Sequence, residues 1–168
     1  MARKPQAPLL DTGDAFPPLE LELTSGGRLS LPSGLSKRFN VVLVNRGSWC
    51  PFCVAQLAAF QAGLLTLTEE GIGVVSLSAE SREKAGKVVA DKGLQFPVAF
   101  GASVDETAQT LGVYYDPAPT HTTPYLQSAG FVLGPNREIL NAVYSSGAIG
   151  RLLWQDVLGL VRYVKSYT

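Results

Sequence analysis

The sequence has few of the residues from which metal sites and disulfide networks are built. Its 168 residues include two cysteines, one histidine and one methionine. Two cysteines cannot form the disulfide framework that stabilises many small secreted proteins. A zinc site built on them would need two further soft or imidazole ligands, and a single distant histidine does not complete it. We therefore expect no metal ion and no other cofactor.

Charge imbalance and long apolar runs are also missing. Lys and Arg together number 14, as do Asp and Glu, so no general attraction to nucleic acid or to a membrane surface is expected. The basic, proline-rich start of the chain has only Leu9-Leu10 as an apolar pair, too little for a signal peptide. No run approaches the roughly 20 apolar residues of a spanning helix. These absences predict a cytoplasmic protein whose thiols are kept reduced.

What is present is an alternation of strand-like and helix-like segments. Buried-strand runs such as Val41 to Val44 and Ile72 to Leu77 fit the middle of a parallel sheet. Turn residues predict hairpins near the start and near the end. Strands are expected at 19–23, 29–31, 41–44, 72–77, 96–100, 130–133 and 138–144, and helices from 51 to about 70, after Ser81 to 92, after Ser103 to 111, and across 153–164. The pattern predicts one α/β domain over residues 1–168, a central mixed sheet flanked by helices with an N-terminal β-hairpin extension.

Both cysteines lie in one motif between a strand and a helix. If the strand covers Val41 to Asn45 and the helix begins at Pro51, Cys50 is at or next to the N-cap. Its thiolate could then accept a hydrogen bond from the free N–H of Phe52 or Cys53. The helix dipole adds positive potential, and such surroundings lower a thiol pKa from ~8.5 towards neutral or below. The motif therefore predicts a nucleophilic thiolate at Cys50.

Cys53 has the position of a second redox residue. It lies three residues further along the same helical face, close enough for a disulfide with Cys50. We expect Cys50 to attack and the more buried Cys53 to resolve. Arg46 either adds positive charge near the thiolate or is a solvated arginine at a strand end. Trp49 is expected to shield the disulfide and to form part of a partner-docking surface.

The motif also carries a family resemblance. The string Asn45-Arg46-Gly47-Ser48-Trp49-Cys50-Pro51-Phe52-Cys53 resembles the peroxiredoxin-like branch of the alkyl hydroperoxide reductase/thiol-specific antioxidant family, within the thioredoxin superfamily. Weaker similarity at 13–17, 74–78 and 131–139 extends the resemblance over roughly residues 10–165. It implies a thioredoxin-like fold, and it places Cys50 where peroxiredoxins carry the peroxide-attacking cysteine.

Two positions depart from the pattern of that family. A peroxiredoxin has Thr or Ser three residues before the attacking cysteine, whereas this chain has Gly47 there and Ser48 one residue later. A peroxiredoxin also carries an arginine just before the late strand, where it pairs with the thiolate. The matching position, three residues before Phe131, is Ser128. The specialised peroxide pocket of the family is therefore in question.

The proline-rich loop holds a candidate groove. Thioredoxins place a cis-proline opposite the CxxC, and Thr123-Pro124 is the nearest candidate here. The alternative is that Pro124 only stiffens the loop, as Pro117 and Pro119 do. His121, in the same loop, is interpreted as a solvated residue rather than a general base.

Three functions are compatible with these residues. The first is a peroxidase in which Cys50 attacks a hydroperoxide, Cys53 resolves, and an external thiol such as thioredoxin reduces the disulfide. The second is a protein disulfide reductase, in which Cys50 forms a mixed disulfide with a protein substrate. The third is a redox-sensing binding module. The resemblance favours peroxide and the missing arginine favours a protein disulfide; a homodimer is a candidate assembly.

Overall fold

The computed structural model describes residues 3–5 and 7–168 as nine strands and five helices. The strands are β1 (Leu19–Leu23), β2 (Arg28–Leu31), β3 (Phe39–Val44), β4 (Ile72–Leu77), β5 (Val98–Phe100), β6 (Tyr115–Asp116), β7 (Tyr125–Leu126), β8 (Ala129–Leu133) and β9 (Ile139–Tyr144). The helices are α1 (Pro51–Ala62), α2 (Leu64–Glu69), α3 (Arg82–Lys92), α4 (Val104–Leu111) and α5 (Trp154–Lys165). In this part of the chain, no helix is long and apolar enough to cross a membrane.

Seven of the strands form one mixed sheet in the order β2-β1-β5-β4-β3-β8-β9. The central strands β3, β4 and β5 are parallel, and β8, β9, β1 and β2 add antiparallel edges. β1 and β2 are the predicted N-terminal hairpin. The predicted mixed sheet flanked by helices is therefore confirmed, and its parallel centre brings the segments that follow β3 and β4 to one edge of the sheet.

The central strand β3 explains how both faces of the sheet are covered. All six of its residues are buried. Phe39, Val41 and Leu43 face a cluster that includes side chains of α1, α2, α3 and α5. Val42 and Val44 face the opposite cluster, to which α4 contributes. This alternation follows from the two-residue period of a strand, and burial on both sides accounts for the unbroken apolar run.

Two of the five helices, α3 and α4, begin and end as local capping chemistry predicts. The hydroxyl of Ser81 accepts a hydrogen bond from Lys84 N–H at the start of α3, and that of Ser103 accepts one from Glu106 N–H at the start of α4. Gly93 ends α3 in the left-handed conformation, as predicted for a C-terminal glycine. The short pair β6 and β7, in the proline-rich loop, was not predicted.

The single helix predicted from residue 51 to about 70 is wrong, because the segment divides at Gly63 into α1 and α2. The apolar period continues through the break, so the pattern does not reveal it. A Cβ at Gly63 would overlap the indole ring of Trp154 on α5. The break and the packing of α5 therefore depend on the same missing side chain.

We expect Gly63→Ala to lower the free energy of unfolding by about 1–3 kcal/mol, because the methyl group forces Trp154 out of its packed position. Gly86→Ala is the matched control, since a Cβ at Gly86 inside α3 meets nothing within 4 Å. That substitution should raise stability by about 0.5–1 kcal/mol through helix propensity. Urea denaturation of the two variants measures both values, and equal effects would contradict the role of Trp154.

Candidate active site

Cys50 is the N-cap residue of α1, between the end of β3 and the helix. Its backbone is extended, with φ −93° and ψ 110°, and Pro51 occupies the first helical turn as predicted. The Cys50 side chain makes no cap hydrogen bond of standard geometry, but the predicted effect of the Cys53 backbone N–H is present, because that group lowers the pKa of the Cys50 thiol. The carbonyl oxygen of Cys50 accepts from the N–H groups of Cys53 and Val54, each at 3.1 Å.

Two guanidinium groups also approach the sulfur of Cys50. Nη1 of Arg46 lies 3.5 Å from the Cys50 sulfur, and Nη2 of Arg151 lies 3.6 Å from it. Cys50 itself is 0% exposed, so these charges act in a site without bulk water. Positive charge within hydrogen-bonding distance favours the thiolate over the thiol.

Arg46 is held between two aromatic rings. Its guanidinium carbon lies 4.8 Å from the ring centre of Trp49 and 5.2 Å from that of Tyr125. Nη2 of Arg46 is also 3.5 Å from the hydroxyl of Tyr125. Of the two interpretations of Arg46, the structure favours positive charge beside Cys50 over a solvated arginine.

Arg151 was not identified from the sequence. It lies in the loop between β9 and α5, and its Nη1 donates to the hydroxyl of Ser128 at 2.8 Å and to Oε1 of Gln56 at 3.3 Å. Its Nη2 and Nε donate to the carbonyl of Ala148 at 3.1 and 3.2 Å. Ser128 is the position at which the peroxiredoxin pattern has its arginine. The missing guanidinium is thus supplied from a different loop and anchored on the serine that replaced it.

The two thiols have opposite electrostatic environments. Burial raises the pKa of Cys50, but hydrogen bonds from Cys53 and Arg46 and the charge of Arg151 outweigh it, and the pKa lies below that of an ordinary cysteine. Burial raises the pKa of Cys53 more strongly than the charge of Arg151 and the backbone N–H groups lower it. One of those groups, Arg46 N–H, donates to the Cys53 sulfur at 3.2 Å. The pair therefore consists of an acidic thiol and a less acidic one, as an attacker and a resolver require.

Gly47 explains why this chain lacks the Thr or Ser hydroxyl that the peroxiredoxin pattern has three residues before the attacking cysteine. Gly47 has φ +155°, which side-chain-bearing residues rarely adopt, and a Cβ there would overlap the Trp49 ring and lie 3.0 Å from Oε1 of Glu80. Ser48 does not replace it, because its hydroxyl donates to Oε1 of Glu80 at 2.8 Å. Packing of Trp49 against Gly47 thus excludes a threonine or serine at that position.

The predicted groove at Thr123-Pro124 is not formed as expected. Within residues 3–5 and 7–168 the cis peptide bond is at Leu31-Pro32, so Thr123-Pro124 is trans, and both residues are exposed. The chain reaches the site one residue later, through Tyr125. The side chain of Tyr125 packs edge-to-face on Trp49, with ring centres 4.9 Å apart.

His121 lies in an open groove of about 560 Å³ together with Trp49 and Tyr125. It is exposed, which fits its interpretation as a solvated loop residue. Within the described ranges, no group of three or more His, Cys, Asp or Glu side chains is placed to hold a metal ion.

We expect Gly47→Ala to raise the pKa of Cys50, because the added methyl group displaces Trp49 and releases Arg46 from the sulfur. The ionisation constant of the Cys50 thiol should fall by about tenfold, which corresponds to ~1.4 kcal/mol. Ultraviolet absorbance of the thiolate during a pH titration measures the change. Gly13→Ala is the control: Gly13 also has positive φ, +95°, but a Cβ there meets nothing within 4 Å. A pKa unchanged in Gly47→Ala would show that Trp49 does not position Arg46.

Known proteins resemble this chain along most of its length. A peroxiredoxin of Archaeoglobus fulgidus is 27% identical over 151 residues, which cover 86% of this chain and 66% of that relative, so the chain spans about two thirds of its length. The structure of a yeast mitochondrial 1-Cys peroxiredoxin matches with a TM-score of 0.79 at 15% identity, covering 94% of this chain and 78% of the other. BcpB from Mycobacterium tuberculosis matches with a TM-score of 0.76 at 19% identity, covering 92% and 98%.

These structures confirm the predicted thioredoxin-like fold in its peroxiredoxin form. The model of the AhpC/TSA family matches residues 12–141, a range that contains both cysteines and Arg46 but ends before Arg151. The match covers more than half of the chain, and the chain therefore belongs to the AhpC/TSA family.

Proposed function

We propose that this chain is an oxidoreductase that reduces hydroperoxides, with Cys50 as the attacking thiolate and Cys53 as the resolving thiol. The observation that carries the proposal is the placement of two guanidinium groups, 3.5 and 3.6 Å from a fully buried Cys50 sulfur. Such a site both stabilises the thiolate and presents donors to a small anionic leaving group. Membership in the AhpC/TSA family supports the same reaction.

The reaction begins with attack of the Cys50 thiolate on the terminal oxygen of the hydroperoxide. The O–O bond breaks, the remaining alkoxide or hydroxide leaves with a proton, and Cys50 becomes a sulfenic acid. The sulfur of Cys53 then attacks the Cys50 sulfur, and the sulfenic hydroxyl leaves as water. The two electrons that reduce the peroxide come from the two thiols, which end as a disulfide.

Arg46 and Arg151 perform the function of the missing threonine hydroxyl, which is to position the peroxide. Negative charge moves from the Cys50 sulfur to the leaving oxygen as the O–O bond breaks. Guanidinium N–H groups on both sides of the sulfur stabilise this charge along the path, and the rigid hold on each arginine limits reorganisation. Positioning of the peroxide therefore falls to two arginines.

An external thiol, such as a thioredoxin, completes the cycle by reducing the disulfide. The yeast mitochondrial relative is described as resolved through glutathione and thioredoxin systems, which supports a thiol reductant here. We further propose a cytoplasmic location, where thiols are kept reduced and such a reductant is present. The homodimer stays a prediction.

The protein disulfide reductase has less support. Its first step requires the Cys50 sulfur to contact a disulfide on another protein, and because this residue is 0% exposed, a protein disulfide needs a larger opening of the site than a small hydroperoxide does. The peptide bond at Thr123-Pro124 is trans, so the cis-proline that lines the substrate groove of thioredoxins is not formed there. Rapid reduction of insulin disulfides, together with slow peroxide consumption, would reverse this order of preference.

Substitution of each cysteine tests the two roles. We expect wild-type protein to lose both thiols rapidly on mixing with equimolar hydrogen peroxide. Cys50→Ser should lose no thiol at this rate, because Cys53 lacks the two guanidinium contacts. Cys53→Ser should accumulate a Cys50 sulfenic acid that is detected by mass spectrometry after trapping with dimedone. Thiol loss in wild type no faster than for a small free thiol would contradict the peroxidase, and exchanged behaviour of the variants would reverse the roles.

The rate of peroxide attack should depend on Arg151. Because the thiolate is the reactive form and its pKa is lowered, the rate rises with pH through that pKa and is level above it. Arg151→Gln removes a positive charge, so the midpoint should move to higher pH and the rate at neutral pH should fall by about tenfold or more. Arg162→Gln is the control, since Arg162 pairs with Glu70 on the surface. An unchanged midpoint and plateau in Arg151→Gln would exclude this role.

A further inference from the structure

A small cavity adjoins the resolving cysteine. It measures about 20 Å³, which is room for one water molecule. Cys53, Ser48 and Glu80 contribute to its wall, with Asn45 and Ser76 from the ends of β3 and β4. Several apolar side chains complete the wall, so the polar groups share one small cavity.

Two of the polar groups in this wall lack a hydrogen-bond partner among the residues that the structure describes. Oδ1 of Asn45 and Oγ of Ser76 are buried and make no hydrogen bond. Buried polar atoms nearly always have a partner, and ordered water supplies it where the protein does not. A cavity of one-water size beside two unsatisfied oxygens is therefore a water site, within reach of the Cys53 thiol.

Glu80 brings a carboxyl group to the same cavity. It is 8% exposed, and in the part of the chain that the structure describes it makes no ion pair. Its side chain accepts one hydrogen bond, from Ser48. The backbone of Glu80 is fixed, because its carbonyl accepts from Gly101 N–H at 2.8 Å. A buried carboxyl without a cation has proton-accepting capacity that the first chemical step does not use.

We propose that Glu80 accepts the proton of Cys53, through a water molecule in this cavity, when Cys53 attacks the Cys50 sulfenic acid. The inference rests on the proposed function and deepens it. As the S–S bond forms, the Cys53 S–H proton passes to the water and a water proton passes to Glu80. The sulfenic hydroxyl takes a proton from solvent and leaves as water, and Glu80 afterwards returns its proton to solvent. The overall change is a sulfenic acid plus a thiol giving a disulfide plus water.

The asymmetry of the site makes such a proton acceptor necessary. Both guanidinium groups contact the Cys50 sulfur, whereas the Cys53 sulfur accepts from the backbone N–H of Arg46, and burial raises the pKa of Cys53. A thiol attacks only as its thiolate, so Cys53 needs a base at the moment of attack. General-base assistance of this kind contributes roughly 10²–10⁴-fold to a rate.

The inference is tested by following two successive steps, sulfenic acid formation and disulfide formation, in a rapid-mixing experiment. For Glu80→Gln, which keeps the size and the Ser48 contact, we expect sulfenic acid formation within about twofold of wild type. Disulfide formation should slow by about tenfold or more at neutral pH, with sulfenic acid trapped by dimedone. Ser76→Val fills the cavity without removing a satisfied hydrogen bond, and it should slow the same step. Glu83→Gln, at an exposed position on α3, is the matched control and should change neither step.

The pH dependence distinguishes proton transfer from a structural defect. In Glu80→Gln the second step should recover towards the wild-type rate at high pH, where hydroxide replaces the lost base. Cys50, Arg46 and Arg151, the titratable and charged groups beside Cys53, are the same in both proteins. A Glu80→Gln variant that forms its disulfide at the wild-type rate would overturn the inference, as would a slow step that does not recover with pH.

A second assay does not involve peroxide. An aromatic disulfide reagent, such as dithionitrobenzoate, first labels Cys50 and releases one thionitrobenzoate. Cys53 then displaces the second one, and the same Glu80 dependence is expected for this release. If wild type fails with peroxide but shows Glu80-dependent release, the peroxidase is wrong and the role of Glu80 stands. If the release does not depend on Glu80 while peroxide is reduced rapidly, the role of Glu80 is wrong and the peroxidase stands.

Discussion

The active site depends on the positive charge of two guanidinium groups held beside the buried Cys50 sulfur. Burial alone would make Cys50 a poor acid, and an uncharged thiol reacts slowly. Arg46 and Arg151 both lower the pKa of Cys50 and so offset the effect of burial. Most of the surrounding contacts keep these two arginines in place. Trp49 and Tyr125 enclose one guanidinium, while Ser128, Gln56 and a loop carbonyl hold the other. The side chains that hold these two arginines thus contribute to the acidity of Cys50.

This arrangement excludes the hydroxyl seen in related sites. Stacking of Trp49 on Arg46 brings the indole against Gly47, leaving no space for a side chain there. A threonine at this position and an aromatic clamp on Arg46 are therefore alternatives. This chain has the aromatic clamp. The neighbouring hydroxyl, that of Ser48, donates to Glu80, to which we assign a role in the second half of the catalytic cycle.

Features that depend on neighbouring residues could be predicted from the sequence. The strand before Cys50, the helix start at Pro51 and the serine caps of α3 and α4 all follow from chemistry within a few residues. Arg151 could not be found this way, because its contact with Cys50 spans 101 residues and no motif accompanies it. The break at Gly63 depends on Trp154 in another helix. The position of Glu80 near the site could be predicted in part, because residues that follow adjacent parallel strands meet at one edge of the sheet.

The position of Arg151 in the chain has a consequence for how the protein is made. Its guanidinium reaches Cys50 only after β8 and β9 have joined the sheet and the loop after β9 has closed over Ser128. Before that, Cys50 has one arginine and an unfinished apolar surrounding, and its acidity is incomplete. A partly synthesised chain therefore carries a less reactive thiol than the finished fold. The full acidity of Cys50 is therefore a property of the complete fold and not of the CxxC segment alone.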